Sequence, residues 1–492
     1  MPATIQFGTD GWRAVLADTY TFENVRRCAA GLARWLLSPE RVKAKIYQAA
    51  PGTPTYRAEY RDAKQHGVVV GYDARLMSDR FARTAAEVLA AHGIPVFLAS
   101  EISTTPSVSW AVHERQTAGG VVITSSHNPP EWNGFKYKPE YGGSGLPELM
   151  TAVENLIPDT FSPNGTHAPI TSVSLKVEHQ RRLCAMVDVD KIKRSSLRVA
   201  VDPMYGAASG NLPELLKGGG CQVTEVCGEF NPGFGGINPE PIARNLHPLA
   251  DASKKAKAHV GLAFDGDGDR IGAMDADGRF YNSHEIFCML LWHLVSNRGW
   301  TGGVIKTFST SRMVDKLASH FGLKLYEVPI GFKYIVELMM QEDILIGGEE
   351  SGGIGIKNHL PERDGLLSGL LLLEALAGPR ITVQKFLTQL QQITGSFHYL
   401  REDIKVQAHG GRDELMALLK SAVPAKLGGR TVLTTEDLDG LKLCFNGGDW
   451  LLLRPSGTEP VVRVYAEAGS HEQMSNLLDE GVRLARKATD KP

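Results

Sequence analysis

Val260-Gly261-Leu262-Ala263-Phe264-Asp265-Gly266-Asp267-Gly268-Asp269-Arg270 is the stretch that decides this chain. The apolar run has the form of a buried strand, and it spills into a loop where carboxylates alternate with glycines that remove bulk between them. Three carboxylates this close repel one another unless a cation neutralises them. A hard divalent ion such as Mg2+ suits the pattern, because it takes oxygen ligands octahedrally and keeps positions open for water or phosphate. An EF-hand is excluded: counted from Asp265, the places that need Gly and Glu hold Arg270 and Ala276. An acidic surface turn is the ordinary reading of one Asp-Gly-Asp; the third aspartate and the preceding strand argue against it.

Upstream, Gly119-Gly120-Val121-Val122-Ile123 leads into Thr124-Ser125-Ser126-His127-Asn128-Pro129-Pro130. A stiff loop at a strand end is where α/β folds place their chemistry. Ser126 is the candidate nucleophile and needs an activating partner. His127 is adjacent, but sequence neighbours seldom face each other, so a Ser-His dyad is not expected. Taken alone, the loop could be a turn that caps a helix. Near the end of the chain, Arg454-Pro455-Ser456-Gly457-Thr458-Glu459-Pro460 lies between two strand-like runs and gathers a guanidinium, hydroxyls and flexible backbone. That composition makes an anion nest suited to phosphate. Gly347-Gly348-Glu349-Glu350-Ser351-Gly352-Gly353 follows Ile344-Leu345-Ile346 and offers acceptors for sugar hydroxyls.

With these loops in hand, the chain resembles the α-D-phosphohexomutase superfamily, the phosphoglucomutase and phosphomannomutase enzymes. The likeness begins at Phe7-Gly8-Thr9-Asp10-Gly11-Trp12-Arg13, continues through the serine loop with Asn133-Gly134-Phe135-Lys136 and the aspartate and glutamate loops, and ends at the Arg454 loop. The resemblance implies α/β architecture: three consecutive α/β domains with mixed sheets plus a smaller C-terminal α+β domain, around a central cleft. Boundaries are expected at 1–170, 171–280, 281–397 and 398–492. It implies that Ser126 carries the phosphoryl group, that Ser126, Asp265, Asp267 and Asp269 hold Mg2+, and that Arg13, His127, Lys136 and Arg270 surround the reacting phosphate. Lys333, Glu349 and Ser351 would contact the sugar, while Arg454, Ser456, Gly457 and Thr458 would hold the other phosphate. The implied reaction moves a phosphoryl group between the 1- and 6-positions of hexose phosphates through a phosphoserine and glucose 1,6-bisphosphate.

Two departures bear on that expectation. Many manno- and glucosamine-type relatives end the glutamate loop in a histidine proposed to move a proton; here the place holds Gly353. Lys136 is the first candidate for that task and His359 the second. Ser125 stands where alanine is usual. The segment Pro329-Ile330-Gly331-Phe332-Lys333-Tyr334 resembles the Gly-aromatic-Lys of phosphoglucomutases, so glucose is the expected sugar, mannose next, with phosphoglucosamine mutase the alternative.

Composition narrows the classes further. A chain of 492 residues divides into several domains of ~100–150 residues. With 22% charged residues and a net charge of −2, nothing points to nucleic acid. Six cysteines form no C-x-x-C pair, which argues against zinc and disulfide frameworks. No uninterrupted apolar run approaches ~18 residues and no leader is evident, so the reading is cytoplasmic without membrane contact. There is no P-loop and no G-x-S-x-G elbow, against a kinase or a serine hydrolase. A Mg-dependent sugar phosphatase would share the metal site and differ only in passing the phosphoryl group to water. Apolar runs at 68–70, 121–123, 197–201, 260–264, 303–305 and 344–346 alternate with helical patterns such as 81–92 and 285–296. Residues 47–66 read as a polar insertion.

Overall fold

Every one of those apolar runs is a strand. In the computed structural model they span Val68–Tyr72, Gly119–Ile123, Arg198–Asp202, Val260–Phe264, Gly303–Thr307 and Ile344–Gly348. The structure describes residues 4–8, 11–44, 58–162, 167–378, 381–406, 411–456 and 461–489. Of the 47–66 insertion, 47–57 lie outside these; its end forms the short helix Ala63–His66, capped by Asp62.

The chain divides into two compact units, Met1–Val304 with Gly331–Phe386, and Ile305–Ile330 with Leu387–Pro492. In the first unit a six-stranded sheet has the spatial order 12–15, 132–139, 119–123, 68–72, 96–99, 170–173. Its last four strands run parallel, and 132–139 and 12–15 are antiparallel additions. Strand 119–123 is buried throughout, which its unbroken apolar sequence requires, and it delivers the serine loop at its carboxyl end. Trp132–Pro139 returns beside it and carries Lys136 into the same interior. A second, five-stranded mixed sheet in this unit pairs Val260–Phe264 in parallel with Arg198–Asp202 and antiparallel with Ile271–Met274. The aspartate loop is therefore the turn of a hairpin at the end of a buried strand. The hairpin Ile344–Gly348 with Ile354–Ile356 brings the glutamate loop.

The helical pattern at 81–92 is realised as Ser78–Ala91. The pattern at 285–296 begins at Ser283, behind an Asn282/Glu285 capping box, and widens to a π-turn over His293–Asn297. In the second unit a five-stranded antiparallel sheet, 398–405, 461–468, 450–455, 441–444 and 434–436, is covered by Arg412–Ser421 and His471–Thr489. Its core gathers Leu443, Leu451, Leu453, Val462, Val464 and Ala466. This is the α+β pattern expected for the last part of the chain. Among the described residues no helix is long and apolar enough to cross a membrane.

One glycine shows how closely the loops meet. A Cβ at Gly266 would lie 2.5 Å from the carbonyl oxygen of Ser126. The obstacle is backbone rather than a flexible side chain, so Gly266→Ala must push the aspartate loop off the serine loop. We expect this variant to lose about 1–3 kcal/mol of stability and most of its turnover, measured by thermal melting and by steady-state assay.

Candidate active site

Ser126 is 1% exposed and sits at φ +52°, a left-handed conformation that a side-chain-bearing residue adopts only when its surroundings impose it. Its N–H donates to Thr124 Oγ1 at 2.9 Å, and its Oγ donates to Asp265 Oδ2 at 2.9 Å. Ser126 and the aspartate loop, separated by 139 residues in sequence, thus meet directly. His127 faces the serine after all: its Nδ1 is 3.4 Å from Ser126 Oγ, against the expectation from spacing. The left-handed turn at Ser126 folds the next side chain back. Burial and the neighbouring Arg270 and Arg13 push the His127 imidazole well below its ordinary pKa, so it is neutral.

The three aspartates are fully buried. Asp265 Oδ1 accepts from the backbone N–H groups of Asp269 and Arg270 at 2.9 and 3.0 Å, which folds the loop back on its first residue. Gly268, at φ +72°, permits that turn. Burial, then Asp269 and Asp267, hold the Asp265 carboxyl well above the usual range. Burial acts the same way on Asp267, but there the Lys136 ammonium at 2.9 Å, with Thr105 donating at 2.7 Å, outweighs it and the pKa is depressed. Lys136, the first candidate for proton transfer, is thus placed as a buried counter-ion, also 4.0 Å from Asp269.

Ligand atoms from the three aspartates lie within 4.8 Å of one another. Asp267 Oδ1 and Asp269 Oδ1 are buried and accept no hydrogen bond. Buried carboxylate oxygens without partners are costly, and an all-oxygen donor set fits a hard divalent cation.

Cations frame this trio. Arg270 Nε is 3.8 Å from both Asp265 and Asp269. Arg13 Nη1 donates to Asn128 Oδ1 at 2.7 Å, which ties it to the serine loop. Arg363, which the sequence reading did not single out, has Nη2 2.9 Å from Asp269 Oδ2 and Nη1 3.8 Å from Glu349 Oε2. It links the aspartate loop to the glutamate loop. Its only signal in sequence is an arginine before Asp364-Gly365, where a helix starts. The Arg270–Gly353 bridge joins the same two loops through the backbone. Burial raises the Glu349 pKa, with Arg363 and Arg270 opposing. Ser351 lies in the turn that Glu349 and Gly353 close, and Lys333 is in the first turn of Phe332–Met339 with its ammonium over the Tyr334 ring. His359, the second proton candidate, places Nε2 2.9 Å from Asp364, which His179 also meets at 2.7 Å, and its ring stacks on Trp110.

In the second unit Arg454 donates from Nε to Asp439 Oδ2 at 3.0 Å, and Arg412 pairs with the other carboxylate oxygen. Asp439 also accepts the Ile330 N–H at 2.9 Å. Two guanidinium groups about one carboxylate make a fixed cationic station with net positive charge. Ser456 N–H donates to the Val461 carbonyl at 2.8 Å. Gly457 and Thr458 lie outside the described residues.

Comparison with known proteins gives the family. Residues 44–163, 177–278 and 282–393 match the profiles of phosphoglucomutase/phosphomannomutase alpha/beta/alpha domains I, II and III, and 410–484 match that family's C-terminal domain. A phosphoglucomutase/phosphomannomutase of Thermococcus kodakarensis is 32% identical over 86% of this chain and 90% of its own. A phosphoglucosamine mutase of Leifsonia xyli is 30% identical over 97% and 98%. The crystal structure of a putative phosphomannomutase from Thermus thermophilus superposes with a TM-score of 0.83 at 32% identity, covering 99% of this chain and 100% of that one. With four consecutive matching domains and relatives alike over nearly its whole length, this chain belongs to the phosphoglucomutase/phosphomannomutase family of the α-D-phosphohexomutase superfamily.

Proposed function

We propose that the chain interconverts the 1- and 6-phosphates of an α-D-hexose, glucose first and mannose second, through a phosphoserine at Ser126 and a 1,6-bisphosphate. The observation that carries this is the Ser126 Oγ to Asp265 Oδ2 contact of 2.9 Å, in a site with further carboxylate oxygens unsatisfied. A phosphoryl group on that oxygen would add about −1.5 to −2 charges beside the trio, which only a cation can make tolerable. Asp265, Asp267 and Asp269, with an oxygen of the phosphorylated Ser126, would hold Mg2+; when bound, the ion supplies charge stabilisation to the phosphoryl oxygens.

The protein's own groups do the rest. Arg13 and Arg270 supply cationic donors to a phosphoryl group whose equatorial oxygens carry the transition-state charge. Lys136 balances the carboxylates that hold the ion. His127, buried and neutral, orients the serine oxygen through Nδ1 and adds no charge. Glu349 and Ser351 accept and share hydrogen bonds with sugar hydroxyls. Arg454, Ser456, Gly457 and Thr458 would hold the phosphate that is not reacting. The domain boundaries near 170, 280 and 397 are part of this reading, and the family profiles, which break near the same places, support them.

Relatives named for glucosamine substrates make phosphoglucosamine mutation the second reading. Against it, an ammonium at Lys333 repels a substrate amine by about 1 kcal/mol at ~4 Å in water and by more where water is excluded. Three experiments bear on these points. Ser126→Ala should leave a folded protein with no mutase turnover, and intact mass should show a phosphate adduct on wild type only; full activity in the variant contradicts the mechanism. An assay following hexose 6-phosphate and inorganic phosphate together should show the first and not the second, whereas a phosphatase reverses them. Measured side by side, kcat/KM should fall from glucose 1-phosphate to mannose 1-phosphate to glucosamine 1-phosphate, and Lys333→Ala should narrow the last gap. Equal values for glucosamine and glucose phosphates overturn the order.

A further inference from the structure

Arg75 has no place in the reaction as described, yet its bonds to the serine loop outnumber those described for any group above. Its guanidinium is 0% exposed and donates to four backbone carbonyls there: from Nη2 to Ser126 at 2.6 Å and Asn128 at 2.7 Å, from Nη1 to Pro129 at 2.8 Å and Trp132 at 3.0 Å. Asp73 backs it, 3.2 Å from Nε, and the Phe234 ring lies 4.9 Å beneath it. Asp73 is itself locked: its Oδ1 accepts from the Arg75 N–H and Ser78 Oγ, and its Oδ2 accepts from Thr124 Oγ1 at 2.6 Å. Thr124 Oγ1 is the same atom that accepts the Ser126 N–H. The peptide units on both sides of the Ser126 α-carbon are therefore held by one pair, the amide through Asp73 and Thr124, the carbonyl by Arg75.

That arrangement answers a physical question. Left-handed backbone at a serine is disfavoured and persists only when the surroundings over-determine it. Four carbonyls turned toward one point also repel one another, and a planar five-donor cation satisfies them together where an ammonium cannot. Asn128 extends the effect, since Arg75 fixes its carbonyl while its side chain holds Arg13.

We propose that Arg75, backed by Asp73, is a positioning residue: it imposes the left-handed conformation that aims Ser126 Oγ at the aspartate loop and, through Asn128, sets Arg13. The proposal rests on the phosphoserine reading and deepens it. The polar, four-carbonyl geometry makes no use of the substrate, so the effect belongs in kcat rather than in KM.

Two variants test it: Arg75→Lys, which keeps a cation beside Asp73, and the neutral pair Asp73→Asn with Arg75→Gln, which avoids an unpaired buried charge. Each is measured as full-length protein, per folded molecule, with glucose 1-phosphate, Mg2+ and catalytic glucose 1,6-bisphosphate. A misplaced nucleophile should lower kcat by about 10- to 100-fold, with KM within about twofold. Single-turnover phosphorylation of Ser126 by glucose 1,6-bisphosphate, followed by intact mass, should slow in proportion. Thermal destabilisation with unchanged kcat per folded molecule in both variants would make Arg75 a fold residue only and overturn the proposal. So would a loss confined to KM. If active wild type never carries the adduct, the phosphoserine reading itself fails, and the mass measurement on wild type alone reports that.

Discussion

Mutual repulsion among Asp265, Asp267 and Asp269 is the constraint on which this structure depends. Three carboxylates are buried on one short hairpin turn, and the elements around them are arranged to make that tolerable. Lys136 comes from the strand beside the serine loop, Thr105 from the start of a helix, Arg270 from the loop itself and Arg363 from the segment before Asp364. The compensation is unequal. Asp267 has a cation and a hydroxyl on Oδ2, whereas Asp265 faces Ser126 and sits among like charges, so their pKa values move in opposite directions. Ser126 is held against Asp265, the carboxylate with the least compensation.

Much of this was legible in the chain. The alternation of Asp and Gly after Val260–Phe264 announced both the strand and the loop, and the glycine-led run 119–123 announced the strand that carries Ser126. Local pattern sufficed because each signal lies within about ten residues. Arg75, Arg363 and Asp439 were not legible, since an arginine or aspartate gives no local sign of which distant carbonyl or carboxylate it will meet. Ser126 lies 51 residues from Arg75, and Ile330 lies 109 from Asp439. His127 was misjudged for another reason: spacing rules assume ordinary backbone, and the positive φ of Ser126 breaks them.

Sugar choice is where resemblance and geometry diverge. Relatives of similar identity are named for glucose, mannose or glucosamine phosphates, so descent alone does not select among them. What stands out in this chain is local: Gly353 holds the place of a histidine, Arg363 spans the space between Asp269 and Glu349, and Lys333 contributes an ammonium. A guanidinium beside Glu349 can orient a hydroxyl but is a poor proton carrier, because it does not deprotonate in proteins.

The direct test of the electrostatic account is the melting temperature of the protein without substrate, in chelator and across a Mg2+ titration at constant ionic strength. If the aspartate trio is a strained metal site, stability rises with Mg2+ as RT ln(1 + [Mg2+]/Kd), about 2.7 kcal/mol at a hundredfold excess over Kd. A melting temperature indifferent to Mg2+ would contradict it.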